Sequence, residues 1–227
     1  MLIATPDDRI ALICSDLADQ EAFGPDQVVV HLSGATRLDA LAPAAEAGAR
    51  IMSLHPLQTF PDVRSAIERV PGSAMAVTAE DEEGYELGER LASDVGARPF
   101  RLADETKPLY HAAAVFASNY VVAIAALAER LFRRAGIRDP LPLFLPLFLA
   151  TAEAVADLGP GEALTGPAVR GDAGTVEANI EALRKSAKYA LPAYLALAES
   201  ALDLAERDGR LTPGGRAAVQ EVLDRWK

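Results

Sequence analysis

The chain has 227 residues, half of them apolar and about a quarter charged, so we expect a substantial core in one large or two modest domains. The formal charge of −11, from 22 basic and 33 acidic residues, argues against a nucleic-acid partner, which requires a basic surface. The single cysteine, Cys14, excludes an internal disulfide and favours a cytoplasmic location, and we expect no signal peptide in the first residues.

Short apolar segments alternate with helical patterns over the first part of the chain. The predicted strands cover residues 2–4, 27–32, 50–54, 73–77 and 99–102, and the predicted helices between them cover 6–23, 37–47 and 81–95. Because these strands are apolar throughout, we expect a parallel sheet with helices on both faces.

No strand pattern follows residue 105. The predicted helices cover residues 106–135, 143–157, 173–186, 188–208 and 213–226, with Asp172 as the N-cap of the third. The sequence therefore predicts two domains: an α/β domain over residues 1–102 and an all-α domain over residues 103–227.

Two apolar runs raise the alternative of a membrane protein. Residues 112–128 carry no charge, and residues 141–150 are strongly apolar. The first run is short for a span and contains polar side chains, and the second contains two prolines and is only about half the necessary length. We therefore interpret both as buried helices of a bundle and expect no membrane contact.

One helical face in the predicted 106–135 helix is unusually polar. Lys107, His111 and Ser118 lie on this face at helical spacing, and Asn119 lies beside it. Polar groups on an apolar helix need hydrogen-bond partners, which neighbouring backbone or a ligand can supply. Both alternatives remain open from the sequence.

Further polar residues follow the predicted strands. Thr5, Ser33 and His55 stand at strand ends, where doubly wound sheets bind their ligands. Each also has a structural interpretation: Thr5 and Pro6 can begin a helix, Ser33 and Gly34 can form a tight turn, and His55 can be satisfied locally. We interpret His31 as structural.

Several common motifs do not occur in the sequence. It contains no G-x-G-x-x-G turn, no P-loop and no G-x-S-x-G nucleophile elbow. The three histidines are far apart and have no carboxylates at metal-binding spacing, so we predict no metal site.

Five segments together resemble a known class: residues 2–8, 31–35, 53–60, 107–119 and 164–172. They are similar to two-domain Rossmann-like proteins with an uncharacterised all-helical C-terminal domain, which are related to ketopantoate reductase, pyrroline-5-carboxylate reductase and prephenate dehydrogenase. The resemblance implies an α/β fold with an incomplete parallel Rossmann-like sheet followed by the all-α domain. It also implies an NAD- or NADP-dependent oxidoreductase acting on a small keto acid, hydroxy acid or imine, and a homodimer formed through the helical domain.

The resemblance also implies roles for the polar residues, in a cleft between the two domains. The implied catalytic residues are Lys107, His55 and Asn119; the implied cofactor contacts are Thr5, Pro6, Ser33 and Gly34; and the implied substrate contacts are His111 and Ser118. A lysine here can stabilise or protonate the negative charge that hydride delivery leaves on a substrate.

The chain departs from this class at its front, where its relatives have a strand and a glycine-rich turn. Either Met1 is not the true start, or this is a short form that has lost dinucleotide binding. Because a glycine turn at a helix N-terminus supplies much of the pyrophosphate affinity, we expect this chain to bind NAD(P) weakly or not at all. The alternatives to an enzyme are a non-catalytic metabolite-binding protein and a dimerisation module.

Overall fold

A computed structural model describes residues 1–226 and divides the chain into two compact units, Met1–Val122 and the residues from Ala123 onward. The strands are β1 (Leu2–Ile3), β2 (Val28–His31), β3 (Arg50–Leu57), β4 (Ala74–Ala79) and β5 (Arg98–Arg101). The helices are α1 (Ile10–Asp19), α2 (Ala42–Glu46), α3 (Val63–Arg69), α4 (Glu82–Asp94), α5 (Lys107–Ala117), α6 (Asn119–Arg134), α7 (Leu141–Ala163), α8 (Ala173–Ser186), α9 (Leu191–Arg207) and α10 (Pro213–Asp224).

The first unit is built on a five-stranded sheet in the order β1-β2-β3-β4-β5. Apolar residues on both faces of the sheet are buried, as predicted from the uninterrupted apolar strands. Val29 and Ile51 pack with residues of α1 and α2 in one cluster, whereas Met52 and Val77 pack with Ala92 of α4 in the other. The predicted α/β class with a Rossmann-like sheet is confirmed.

The prediction of a wholly parallel sheet is wrong at one pair of strands. β3 and β4 are antiparallel, with Leu54 opposite Val77, whereas the other three pairs are parallel. A parallel return needs a crossover packed on the sheet, but α3, which connects these strands and was not predicted, has no buried residue. The chain therefore returns as a wide hairpin.

The part of the chain after β5 is helical, as predicted, but not every helix begins and ends where it was predicted to. No strand follows Arg101 among the residues that the structure describes, and α8 has the predicted bounds with Asp172 as its N-cap. The predicted 106–135 helix is instead two helices, because Ser118 has non-helical backbone angles (φ −130°, ψ −75°). The first compact unit extends past the predicted boundary at residue 102 and includes α5.

The second unit has a core formed by α8, α9 and α10. Val176 and Ile180 of α8 pack with Leu202 of α9 and with Val219 and Leu223 of α10. Burial of these aliphatic side chains on three helices gives this unit its own hydrophobic core.

The apolar helices α6 and α7 are not the buried bundle helices that we predicted. The stretches Asp104–Arg134 and Leu141–Ala163 are long and apolar enough to cross a membrane, yet only 0% and 6% of their most apolar windows are buried. Phe144 is the buried residue of α7, stacked on Phe132 of α6 with ring centroids 5.6 Å apart. The helices of this chain leave most of this apolar surface uncovered.

Close packing of α4 on the sheet makes Gly88 a test of the fold. A Cβ at this position would collide with Val77 of β4. We expect Gly88→Ala to lower the free energy of unfolding by about 1–3 kcal/mol, despite the higher helix propensity of alanine.

Urea denaturation measures this change, and Gly214→Ala in α10 is its control. An added Cβ at Gly214 meets no atom within 4 Å, so the same substitution should be neutral or stabilise by up to about 1 kcal/mol. Equal effects of the two substitutions would contradict the packing of α4 described above.

Candidate functional site

The turn after β2 ties together the loops at the carboxyl ends of the first two strands. The Ser33 hydroxyl donates a hydrogen bond to Asp7 Oδ2 at 2.7 Å, and Ser33 Oγ accepts one from the Thr36 backbone N–H at 2.9 Å. After β1, the Pro6 carbonyl accepts a hydrogen bond from the Arg9 N–H. This hydrogen bond belongs to a short 3₁₀ helix over Asp7–Arg9. The loop after β1 therefore begins a helix and the loop after β2 forms a tight turn. These are the structural interpretations that the sequence allowed as alternatives to cofactor binding.

Lys107, the first residue of α5, is completely buried beneath this turn. Its Nζ donates to the Ser33 carbonyl at 3.0 Å and to Ser53 Oγ at 2.7 Å, and Ser53 Oγ in turn donates to the Ser33 carbonyl at 3.1 Å. Burial lowers the pKa of the Lys107 ammonium to about 8, against the smaller opposing effects of Asp104 and Asp7. The lysine joins the start of α5 to the turn after β2 and to the middle of β3.

His55 and Tyr110 form a hydrogen-bonded pair next to this junction. His55 Nδ1 lies 2.8 Å from the Tyr110 hydroxyl, and the rings meet edge to face. Burial lowers the pKa of His55 to about 4, with further lowering by His111 and Lys107, and burial raises the pKa of Tyr110 to about 12. Both groups are therefore uncharged at neutral pH.

Gly34 makes room for this imidazole. A Cβ at Gly34 would lie 2.7 Å from Cε1 and Nε2 of His55, closer than any relaxed contact. His55 therefore stacks over the Ser33–Gly34 turn, which is the steric reason for glycine at a position that we predicted as a cofactor contact.

His55 and Tyr110 open onto a cleft of about 650 Å³ in the first unit. Four of the predicted site residues line it: His55, His111, Ser118 and Asn119. Ser118 and Asn119 lie at the break between α5 and α6, and the His111 ring lies 6.1 Å from that of His55. The structure thus brings together three of the four residues of the predicted polar face and His55. The prediction that His55 stands at a strand end is wrong, because β3 continues to Leu57.

The remaining predicted residues do not line this cleft. Lys107 and Ser33 are hydrogen-bonded to each other in the junction described above, and Thr5, Pro6 and Gly34 belong to the strand-end loops. A catalytic role for Lys107 and cofactor contacts at the loops stay predictions.

Tyr110 and Ser53 were not predicted as site residues. Tyr110 follows Lys107 by three residues and so lies near the same helical face, which was the available signal. Ser53 occurs inside an apolar strand, where a buried hydroxyl requires a partner. Only the fold shows that the partner is Lys107.

The described residues do not fit the phosphates of a dinucleotide. The loop from β1 to α1 contains no glycine, and Asp7 and Asp8 stand before α1, where a phosphate would need free N–H groups and no negative charge. After β2, the chain forms a short 3₁₀ helix, and Arg37 beside it is paired with Asp104. Among residues 1–226, no cluster of three metal-binding side chains occurs.

The fold and sequence patterns define the class of this protein, a Rossmann-like domain followed by a helical domain. Residues 1–56 match the model of the Rossmann-like domain, and residues 73–201 match the model described as Domain of unknown function (DUF2520). The chain belongs to the DUF2520 family, and the resemblance noted in the sequence is confirmed. No curated protein matches it in sequence.

Solved structures with the same fold cover most of the chain. Protein TM1727 from Thermotoga maritima is 26% identical with a TM-score of 0.75, and the alignment covers 91% of this chain and 78% of that one. BF3122 from Bacteroides fragilis, a predicted NADP oxidoreductase, is 23% identical with a TM-score of 0.72 over 89% and 74%. A reductive aminase from Aspergillus terreus in complex with NADPH and ethyl-5-oxohexanoate is 20% identical with a TM-score of 0.52 over 94% and 76%.

The buried lysine predicts a pH dependence of stability. The folded pKa of Lys107 is about 8, below the ordinary value of 10.5, so the unfolded chain binds more protons between these two values. The free energy of unfolding should therefore rise with pH across this window, by up to about 3 kcal/mol.

Comparison of the wild type with Lys107→Met isolates this contribution. Urea unfolding at about pH 7.5 and pH 10 should show a larger gain for the wild type than for Lys107→Met, whereas Lys185→Met, at an exposed position of α8, should behave as the wild type. Identical gains in all three proteins would show that folding does not lower the pKa of Lys107.

Proposed function

We propose that the protein is an NADP- or NAD-dependent oxidoreductase that reduces a small carbonyl or imine compound, or catalyses the reverse oxidation. The observation that carries this proposal is the His55–Tyr110 pair at the cleft in the first unit, with its 2.8 Å hydrogen bond and uncharged partners. The cleft volume of about 650 Å³ is within the usual range for small-molecule sites.

The pair is suited to the proton step of such a reaction. Reduction of a carbonyl or imine places negative charge on oxygen or nitrogen, which a nearby hydroxyl can neutralise by donating its proton. A tyrosine hydroxyl hydrogen-bonded to an imidazole can recover that proton through the ring. We assign Tyr110 as the donor and His55 as the group that orients and reprotonates it.

Other polar groups of the cleft are available to orient a substrate. The Nδ1 atom of His111 is buried and has no hydrogen-bond partner within the described part of the chain. Buried polar atoms without partners are rare in folded proteins, so a bound ligand is a reasonable partner here. The Asn119 amide, at the start of α6, offers both a donor and an acceptor.

The cofactor is proposed from the fold class. BF3122 is a predicted NADP oxidoreductase, and the reductive aminase is in complex with NADPH, which supports a nicotinamide dinucleotide here. Because the described residues do not fit its phosphates, we expect only weak binding, with a dissociation constant well above the micromolar range.

A second candidate is a non-catalytic protein that binds a small metabolite in the same cleft. The acidic residues Asp7 and Asp8, at the helix start that follows β1, favour this candidate because they would repel a phosphate. The two candidates share the cleft and differ in whether a dinucleotide is consumed.

Substitution of Tyr110 by phenylalanine separates them. With millimolar NADPH and a panel of small ketones, aldehydes and cyclic imines, the wild type should oxidise NADPH. Tyr110→Phe should lower kcat by about 10²–10⁴-fold with little change in KM, because only the proton donor is lost. Tyr189→Phe, in the second unit, removes a tyrosine hydroxyl that does not line the cleft and should leave kcat unchanged.

Two results would count against the enzyme. If millimolar NADPH is not oxidised with any compound, the metabolite-binding candidate is favoured. If Tyr110→Phe retains full activity, the proton donor is another group.

We also propose that the protein is a soluble, cytoplasmic homodimer formed through its helical unit. Several leucines of α7 are exposed. The same unit contains an apolar cavity of about 540 Å³ lined by residues of α6, α8 and α9. A symmetric contact between two copies would cover such surfaces, which are larger than a monomer usually exposes.

Sedimentation equilibrium tests the dimer. At micromolar concentration, the wild type should sediment at twice the 24.0 kDa chain mass. Leu147→Glu, on the exposed face of α7, should shift it toward the monomer because a charge is buried on association. Val63→Glu, at a still more exposed site on α3, is the control; a wild-type monomer would refute the dimer.

A further inference from the structure

No lysine, arginine, aspartate or glutamate is among the described residues that line the cleft. The described residues lining it comprise small aliphatic side chains, two histidines, one tyrosine and four polar uncharged side chains. Its apolar walls come mainly from α5 and the start of α6, including Val115, Val121 and Val122.

Two cations that contact residues near the cleft, Lys107 and Arg69, donate hydrogen bonds within the chain. The ammonium of Lys107 is buried and donates to Ser33 and Ser53, and it has no exposed surface. Arg69 of α3 donates a hydrogen bond to the backbone carbonyl of Thr59, and it is not among the residues that line the cleft. His55 stays neutral, with Asp7 opposing its deprotonation only weakly.

A carboxylate in this cleft would meet no lysine or arginine among the residues that line it. Enzymes that bind small organic acids usually hold the carboxylate with an arginine or lysine, because transfer of an unpaired anion from water to an apolar site is strongly unfavourable. The net charge of −11 adds long-range repulsion of anions.

We infer that the substrate is an uncharged carbonyl or imine compound with an apolar body, and not a keto acid or hydroxy acid. This inference rests on the proposed function and narrows its substrate class. The Tyr110 hydroxyl, the His111 ring and the Asn119 amide would receive the polar end, and the valine and alanine side chains would receive the body.

Three matched ketones test the inference. Benzylacetone is the neutral probe, its para-carboxylate adds the charge, and the methyl ester of that carboxylate matches the added bulk. Saturation-transfer NMR measures binding without cofactor, and NADPH oxidation measures turnover. Benzylacetone and the ester should bind and react similarly, and the carboxylate should be weaker by about 100-fold in Kd and in kcat/KM.

A charge introduced at the rim should reverse this preference. Gln58 lines the cleft and is exposed, so Gln58→Arg should improve binding of the carboxylate by about tenfold or more relative to binding of benzylacetone. Gln20→Arg, at the end of α1, makes the same change in net charge away from the cleft lining and should have no such effect.

The outcomes distinguish this inference from the proposed function. If the carboxylate binds and reacts as well as its methyl ester, the inference is overturned while the oxidoreductase proposal stands. If the ketones bind but NADPH is not oxidised, the oxidoreductase proposal fails and the inferred substrate class fails with it. If none of the three probes binds, the cleft is not the substrate site and both proposals are refuted.

Discussion

The buried ammonium group of Lys107 is the interaction on which the candidate site depends. It is held by the Ser33 carbonyl in the turn after β2 and by Ser53 Oγ in the middle of β3, and within residues 1–226 no carboxylate forms an ion pair with it. A charge buried in this way is stable only if its hydrogen bonds are well placed, so the start of α5 is fixed against the sheet. Tyr110, one turn along α5, is thereby placed next to His55.

The same burial gives the site its electrostatic character. His55, Tyr110 and Lys107 are all shifted toward their neutral forms because water is excluded around them. A neutral imidazole and a neutral phenol can exchange a proton with a substrate, but they cannot neutralise a carboxylate. The proton donation and the preference for uncharged compounds that we propose would both follow from the desolvation of this junction.

The antiparallel pairing of β3 with β4 determines where the sheet places His55. β3 extends to Leu57, past His55, because it pairs with the antiparallel β4 over six residues. His55 is consequently held within a regular strand and not in a loop. Its imidazole is positioned over Gly34, in the turn that follows the neighbouring strand β2. A rigid strand supports a precise position for a functional side chain better than a loop does.

The sequence by itself determined the elements and the residue types of the site. Periodicity located all five strands, α8 and its Asp172 cap, because these depend on local pattern and local hydrogen bonds. It also indicated His55, His111, Ser118 and Asn119, since polar residues in apolar segments are conspicuous. Only the tertiary structure decided that β4 is antiparallel, that Lys107 is buried under Ser33, and that Tyr110 pairs with His55. These features depend on contacts between residues more than 50 positions apart in sequence or on how the whole sheet pairs, and no local pattern encodes such distances.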